Sequence, residues 1–318
     1  MFFLILKRLG LGIITVILVS LIIFTGVEIL PGDACTSFLE REAYGVMLEN
    51  CRRDLGLYTP AIERYLNWTL NALQGDLGYS LSGQMPINEV IGPRIRNSLV
   101  LATASMFIGI PLAVMLGIIT ALWRDKLTDI IISTIAIFSM TIPEFISATL
   151  LILIIAIWLD LLPGIVIIST SSTIWELLPN IILPVIAISM VMTAHMLRMV
   201  RSSVIQVMAS DYVQMAILKG VPYWKMVFYH VLPNALLPAI NIIALTIAWL
   251  LGGVVVTEVV FNYPGLGRLV IDAISGRDLP VVQALALILS LIYVGVNLIA
   301  DLLTMIANPR LRTLQIRK

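Results

Sequence analysis

The side chains that most often carry out chemistry are scarce in this sequence. Its only histidines, His195 and His230, are far apart and have no cysteine or carboxylate cluster beside them. A metal site, or a nucleophile with its base, needs several such groups converging on one point. We therefore expect no metal, no cofactor and no catalytic residue, and we interpret both histidines as packing or interfacial residues.

Nucleotide chemistry is not expected either. The sequence lacks the G-x-x-x-x-G-K-[ST] pattern whose backbone amides hold nucleotide phosphates. Its formal net charge is +1, so it has no strongly basic surface of the kind that binds nucleic acid. The sequence thus predicts a protein that is not an enzyme, binds no nucleic acid and relies on partner subunits for any ATP hydrolysis.

The two cysteines, Cys35 and Cys51, are the only ones in the chain and lie in its long polar segment. A disulfide between them would close a loop of about 17 residues and contribute roughly 3 kcal/mol in the chain-entropy description. Two free thiols are the alternative, because sequence alone does not show that the sulfurs can meet. We favour the disulfide, since the predicted topology places both residues in an oxidising compartment.

Composition places the chain in a lipid bilayer. Hydrophobic residues make up 59% of its 318 positions and charged residues 12%, whereas about a quarter of an average soluble domain is charged. Unbroken apolar runs, in place of period-two alternation, predict helices and not a barrel, and about 20 helical residues cross a core of roughly 30 Å. The predicted fold is an all-α integral membrane protein with six transmembrane helices, at residues 9–30, 98–123, 130–158, 177–197, 235–257 and 281–300.

Three parts follow from this pattern. Residues 1–30 hold the N-terminus and the first span, and residues 98–318 hold the other five. Between them, residues 31–97 form the longest segment outside the membrane, which we interpret as a small external cap containing an amphipathic helix at 59–73.

Lysine and arginine predict the orientation, because they are enriched in short cytoplasmic loops. One side of the six-span arrangement carries most of them, accompanied by few acids, and both chain termini fall on that side. We therefore expect both termini to be cytoplasmic and the long first loop to face outward. The positive residues on the cytoplasmic side are Lys7, Arg8, Arg124, Lys126, Arg198, Arg201, Lys219, Lys225, Arg310, Arg312, Arg317 and Lys318.

The cytoplasmic segment 201–234 contains a short polar helix at 211–219. Gly220 can end it in a left-handed conformation, and Pro222 cannot continue it. Asp211 near the start and Lys219 at the end both suit the helix dipole. Such a helix is either a compact knob for a soluble motor protein or an interfacial helix resting on lipid, and the residues by themselves leave both interpretations open.

Spaced short motifs along nearly the whole chain resemble the membrane permease subunits of ATP-binding-cassette importers, specifically the dipeptide/oligopeptide/nickel type. They include Pro31-Gly32-Asp33, Leu55-Gly56-Leu57, Gly75-Asp76-Leu77-Gly78, Asn97-Ser98-Leu99, Asp211-Tyr212-Val213, Lys219-Gly220, Asn234-Ala235-Leu236-Leu237-Pro238, Glu258, Pro264-Gly265-Leu266-Gly267-Arg268, Asp272-Ala273, Arg277-Asp278, Pro280-Val281-Val282-Gln283 and Asn308-Pro309-Arg310.

The family has a cytoplasmic motif of the form E-A-A, three residues, G, nine residues, I-x-L-P. In this sequence Ala216, Gly220, Leu232 and Pro233 match it, while Gln214, Met215 and His230 depart from it. The resemblance implies that this helix docks into a groove of an ATPase subunit. The residues expected to couple to the ATPase are Asp211, Tyr212, Gln214, Met215, Ala216, Lys219 and Gly220.

The resemblance also implies the assembly and its location. It predicts the type I importer fold in a bacterial plasma (inner) membrane, with a long periplasmic loop after the first helix. The expected partners are a second homologous permease, two ATPase subunits and a periplasmic or extracellular substrate-binding protein. Di- and oligopeptides are the first expectation for the cargo, with nickel chelates, glutathione, opines or sugars as alternatives. An autonomous secondary transporter is the rival class, but it should show paired intramembrane charges and an inverted repeat.

Glu144 is the exception inside the predicted bilayer, directly after Ile142-Pro143 in the third span. A carboxylate there must face protein or water, because exposure to lipid is costly. It could line the translocation path and meet a peptide amino group, or be a neutral carboxyl bonded to a neighbouring helix, or lie at a contact between permeases. Glu258 and Asp301 lie near the ends of spans, so we expect solvated or capping roles for them.

Overall fold

A computed structural model describes residues 2–29, 33–39 and 43–307. Helices dominate these residues, because a helix satisfies its own backbone groups in a bilayer. Predictions that rest on residues 31–32 or 308–318, including the positive C-terminal tail, lie outside them. The helices are α1 (Phe2–Ile29), α2 (Ala34–Leu39), α3 (Gly45–Asp54), α4 (Ala61–Leu73), α5 (Ile87–Leu122), α6 (Leu127–Thr141), α7 (Glu144–Leu151, continued by π-helical Ile152–Trp158), α8 (Ile174–Asn180), α9 (Ile182–Met208), α10 (Asp211–Leu218), α11 (Tyr223–Met226, continued by π-helical Val227–Val231), α12 (Leu232–Val260), α13 (Leu266–Ser275) and α14 (Leu279–Ala307).

Four single helices of the described chain are long and apolar enough to cross a membrane, at Leu6–Ile29, Ile87–Leu122, Ile182–Met208 and Leu279–Leu302. The predicted span 235–257 lies inside α12, whose 29 residues correspond to about 44 Å of helix. The bent pair α6 and α7 is a fifth candidate by length and composition. The structure is therefore that of a multi-pass helical membrane protein, and the total of six spans stays a prediction.

The third predicted span is not one continuous helix. We predicted a single run over 130–158, whereas α6 ends at Thr141 and α7 leaves it at an angle of 108°. Pro143 explains the break, because proline lacks an N–H and disfavours helical geometry in the residue before it. Ile142 is accordingly extended, with φ −79° and ψ 125°.

The boundaries of the fourth predicted span, 177–197, are also wrong. The helix α9 begins at Ile182 and continues to Met208. Pro184 lies in its first turn, where a missing N–H leaves no helical bond unmade. Residues 174–180 instead form the separate short helix α8.

Close contacts between α5 and α9 set the centre of the bundle. A Cβ atom added at Gly109 would lie 2.1 Å from the Cε of Met192, and one added at Gly117 would lie 2.7 Å from the Cβ of Val200. Both contacts advance along the chain in the same direction, so the two helices are parallel. The chain between α5 and α9 therefore returns to the end of the bundle at which α5 began.

The bundle has two distinct ends. Arg8 of α1 forms an ion pair with Asp301 of α14, and Gly12 of α1 packs against Val294. These two helices are therefore antiparallel, and the start of α1 and the finish of α14 lie together. We call the end that carries residues 33–39, 43–86, 159–181 and 261–278 the loop end, and the opposite end, with residues 123–126 and 209–231, the coupling end.

Candidate coupling segment and transport pathway

The helix α10 packs one face on the bundle at the coupling end. Val213 is fully buried and Ala216 nearly so, in a cluster with Val204 of α9 and Met226 of α11. Burying these side chains gives the short helix a fixed position that its eight residues could not hold in isolation. The predicted helix thus forms, and it is tied to the ends of both α5 and α9.

Gly220 ends this helix through a double hydrogen-bond pattern. Its N–H donates to the carbonyl of Ile217 at 2.9 Å, and the N–H of Val221 donates to the carbonyl of Ala216 at 3.2 Å. This is a Schellman motif, which requires a left-handed residue after the helix. Gly220 has φ +73°, and Pro222 follows, so the chain leaves α10 in a fixed direction.

Beyond the buried face, the segment presents large apolar side chains to the outside. Leu218 is 81% exposed, and the rings of Trp224 and Phe228 stack with centroids 6.1 Å apart. Exposed apolar patches rimmed by polar residues commonly mark protein or membrane contacts. We call the exposed side chains Tyr212, Met215, Leu218, Trp224, Phe228 and Tyr229 the coupling surface.

The predicted coupling residues divide between the two faces of α10. Ala216 faces the bundle, so its side chain is not available to a partner subunit. The side chains or backbone of the other six are exposed: Asp211, Tyr212, Gln214, Met215, Lys219 and Gly220. The hydroxyl of Tyr212 also donates to the carbonyl of His230 at 3.3 Å, which ties α10 to the segment leading into α12.

An ion pair braces the coupling end. Arg201 of α9 donates to both carboxylate oxygens of Asp129 of α6, at 2.8 and 2.7 Å. Asp129 also accepts hydrogen bonds from the N–H of Asp125 and the hydroxyl of Ser133, both at 3.0 Å. Two parallel N–H···O bonds hold a guanidinium in one orientation, so α6 is fixed against α9 beside the coupling segment.

Glu144 begins α7 at the break in the third predicted span. Its side chain is half-buried, and its Oε1 accepts a hydrogen bond from the Thr257 hydroxyl at 2.6 Å. Thr257 is fully buried on α12. The carboxyl group is therefore hydrogen-bonded to a neighbouring helix, a contact that the sequence analysis had considered for a neutral carboxyl.

Glu258, one residue further along α12, caps the helix α13. It is completely buried, and its Oε2 accepts the N–H groups of Gly267 at 2.6 Å and Arg268 at 3.2 Å. Ser98 of α5 donates to the same carboxylate and accepts the N–H of Leu266 at 2.8 Å. The capping role is confirmed, but the expectation that Glu258 reaches solvent is wrong, because α5 and α13 enclose it.

A second buried network joins α5 to two loops at the loop end, residues 159–173 and 261–265. The side-chain amide of Asn97 donates to the carbonyl of Pro264 at 2.9 Å, and the Tyr263 hydroxyl donates to the carbonyl of Asn97 at 2.8 Å. Arg96 donates to the carbonyl of Ser172 at 2.6 Å. Burial, reinforced by the nearby Glu258 carboxylate, raises the pKa of Tyr263 above its usual value, so the hydroxyl remains a donor.

Asp278 fastens the long first loop to the bundle. Its Oδ2 accepts the hydroxyl of Ser80 at 2.6 Å and both the N–H and hydroxyl of Ser82, at 3.0 and 2.9 Å. Its Oδ1 accepts the N–H of Leu81 at 3.2 Å. The turn at 80–82 is therefore held by one carboxylate located just before α14.

The cysteines pair as predicted. Cys35 of α2 and Cys51 of α3 form a disulfide, with their Cα atoms 5.8 Å apart. Beside it, Arg52 donates to Asp33 at 2.6 Å. Burial by itself would raise the pKa of Asp33, but hydrogen bonds from Thr36 and Arg52 bring it below its usual value.

Comparison with known families decides the class of this protein. Residues 113–313 match the family of binding-protein-dependent transport system inner membrane components. The chain belongs to this family. It is an integral membrane permease subunit of an ATP-binding-cassette importer, as the motif pattern indicated.

Related permeases align with it from end to end. The glutathione transport system permease proteins GsiC of Escherichia coli (strain K12) and of Escherichia coli O6:H1 (strain CFT073) are each 36% identical over 309 residues, covering 97% of this chain and 98% of the relative. The GsiC of Pectobacterium atrosepticum is 36% identical over 307 residues, covering 96% and 97%.

A solved structure supports the fold. The permease is similar to a chain of an amino acid ABC transporter crystallised with histidines, with a TM-score of 0.51 and 15% identity, over 68% of this chain and 94% of that chain. At this identity the similarity concerns the fold alone.

Two network residues of the loop end, Asn97 and Asp278, were visible in the sequence without an assigned role, and Glu258 was expected to be solvated or to cap a helix. Asn97, Glu258 and Asp278 all lie in motifs that carried the resemblance, but each finds its partners on other helices or loops. The sequence therefore did not predict the partners of these residues or the burial of Glu258, and the signal that could have drawn attention to them was their place in the spaced motifs.

Proposed function

We propose that this permease imports a small peptide, driven by ATPase subunits that bind the coupling surface. The observation that carries the proposal is the outward face of α10 and of the segment after it. Its large apolar side chains protrude from a segment that the Schellman turn at Gly220 and the buried Val213 hold rigidly. A rigid apolar projection is what a soluble motor needs to transmit a displacement to membrane helices.

In the proposed assembly, a second homologous permease, two ATPase subunits and an external substrate-binding protein join this chain. The family description, binding-protein-dependent transport, supports the last of these. The coupling end would be cytoplasmic, together with both termini, in agreement with the lysine and arginine pattern. ATP binding would draw the coupling segments of the two permeases together and open the pathway outward, and hydrolysis would reset it.

A peptide cargo is supported by the relatives. Their named substrate, glutathione, is itself a tripeptide, so it falls within the peptide class and also matches one of the alternatives inferred from the sequence. Nickel chelates, opines and sugars have no comparable support here. Glu144 is proposed to line the pathway, because it is a half-buried carboxylate at a broken helix, where it can attract the ammonium group of a peptide; uptake by Glu144 variants tests this role.

The coupling surface is tested by Leu218→Glu. This side chain is 81% exposed, so the change leaves the folded subunit intact but places a charge in an apolar contact. We expect the ATPase subunits to dissociate during purification and ATP-dependent uptake in vesicles to fall at least tenfold. The matched control is Val46→Glu on α3 of the loop end, which is 75% exposed and should leave both readouts unchanged.

Two results would contradict the proposal. Full uptake and normal copurification of Leu218→Glu would show that ATPases do not bind this surface. Uphill uptake by the purified chain with an ion gradient and no ATP would instead identify a secondary transporter.

A further inference from the structure

The helix α4 of the first loop has three distinct faces. One packs against the protein through Arg64, Tyr65 and Trp68, and the next carries polar Asn67 and Asn71. The third is an exposed apolar stripe with the i, i+4, i+8, i+11 spacing that aligns side chains along one side of a helix. The stripe consists of Ile62, Leu66, Leu70 and Leu73, each more than half exposed.

Contacts with α1 fix how deep α4 lies. The Tyr65 hydroxyl is hydrogen-bonded to the hydroxyl of Ser20 at 2.8 Å, and its ring lies 5.2 Å from that of Phe24. Arg64 pairs with Glu28, near the end of α1. The helix α4 therefore lies beside the last turns of a membrane-spanning helix, and not above them.

The charges on α1 indicate how deep in the membrane these contacts lie. Residues 9–27 carry no charge, whereas Arg8 precedes them and Glu28 follows them, so Glu28 marks the membrane boundary at the loop end. Ser20 lies eight residues earlier, which is about 12 Å below that boundary. The tyrosine side chain, the hydrogen bond and the serine side chain together span no more than about this distance, so the backbone of α4 at Tyr65 lies no higher than the level of Glu28.

The surroundings of the stripe indicate what covers it. Ile22 and Leu21 on the same stretch of α1 are exposed, as expected for side chains that face lipid. The apolar stripe of α4 lies on a helix that contacts Ser20, Phe24 and Glu28 of this stretch, while its polar face can point to the headgroups and water. An amphipathic helix with this division lies in the plane of a membrane interface.

We propose that α4 is an interfacial helix whose stripe inserts among the acyl chains of the leaflet at the loop end. The exposed polar face bears one acid, Glu63, and amide side chains at Asn67, Asn71 and Gln74, but no lysine or arginine. Acyl-chain insertion, not attraction to anionic headgroups, therefore provides the binding. Through α4 the membrane holds the first loop, including the turn at 80–82 that Asp278 fastens to the bundle.

The test compares single cysteines on two faces of α4 in the full-length chain, whose own cysteines are paired. Leu66→Cys and Leu70→Cys report on the stripe, and Asn67→Cys is the matched control on the polar face. Each is reconstituted in phosphatidylethanolamine–phosphatidylcholine vesicles and spin-labelled. We expect the labels at 66 and 70 to collide preferentially with oxygen, which partitions into lipid, and the label at 67 with a water-soluble nickel chelate.

A membrane-impermeant maleimide gives a second readout. It should modify Asn67→Cys at least tenfold faster than Leu66→Cys, and replacing phosphatidylcholine with anionic lipid should leave both rates unchanged. Equal rates at 66 and 67 would overturn the proposal, because the stripe would then be in water. Labels at 66 and 70 that neither oxygen nor the nickel chelate reaches would also overturn it, because protein would then cover the stripe.

Discussion

Removal of the Glu258 carboxylate is the sharpest test of how the loop end is held together. In the parent protein Glu258 is completely shielded from solvent. In Glu258→Ala, the N–H of Gly267 and the hydroxyl of Ser98 therefore lose their acceptor inside a buried site. The N–H of Arg268 loses a longer bond of 3.2 Å. The N-terminus of α13 is then left without its cap.

The expected loss follows from these groups. Each buried donor left without an acceptor costs about 1–3 kcal/mol, and the space vacated by the side chain adds to this. We therefore expect Glu258→Ala to lower the free energy of unfolding by about 3–5 kcal/mol. Glu258→Gln should lose only about 1 kcal/mol, because its carbonyl can still accept from Gly267 and its amide can donate to the Ser98 oxygen.

Gly265 provides an internal control for the geometry. Its φ of −109° and ψ of −173° suit any residue, but an added Cβ would lie 2.1 Å from Oε1 of Glu258. Gly265→Ala should therefore cost about 1–3 kcal/mol by overpacking. In a Glu258→Ala background the obstructing carboxylate is absent, so the same change should cost almost nothing.

Reversible unfolding in mixed detergent micelles, with SDS as the denaturant, measures all four variants of this double-mutant cycle. The coupling free energy between the two positions should equal the cost of Gly265→Ala in the native background. An equal cost of Gly265→Ala in both backgrounds would refute the arrangement, as would a Glu258→Ala protein as stable as the parent.

Two further predictions concern the pathway and the coupling end. Glu144→Gln keeps an acceptor for the Thr257 hydroxyl but removes the charge, so it should reduce uptake of a free peptide several-fold and spare uptake of its N-acetylated form. The control is Thr257→Val, which keeps the charge. If the parent and Glu144→Gln take up both peptides equally well, Glu144 has no role in the pathway. Arg201→Ala leaves the buried Asp129 without its bidentate partner and should lower the free energy of unfolding by about 3 kcal/mol in the same assay. Because Arg201 is partly exposed, Asp129→Ala should cost less. A larger loss in Asp129→Ala would contradict this account of the ion pair.

Local structure was largely predictable from the sequence. The helix at 211–218 and its end at Gly220 were expected, because φ > 0 at glycine and a following Pro222 are properties of the residues themselves. The break at Pro143 also has a local cause, because proline itself disfavours a continuous helix. The hydropathy pattern alone nevertheless suggested one uninterrupted span. The first residues of the helices were harder to predict than the helices themselves. The helix α9, for example, begins at Ile182 and not at residue 177.

Composition and the lengths of the apolar runs were enough to predict that this chain lies in a membrane as a set of helices, since burial in lipid depends on both. The sequence also carried the motifs that place the chain among importer permeases. The packing of the helices was needed to show that Glu258 is enclosed and that α13 is the helix it caps, that Asp278 holds the turn at 80–82 and that α4 lies beside α1. These contacts join residues as much as 198 positions apart, so they depend on how the helices pack and not on any local pattern.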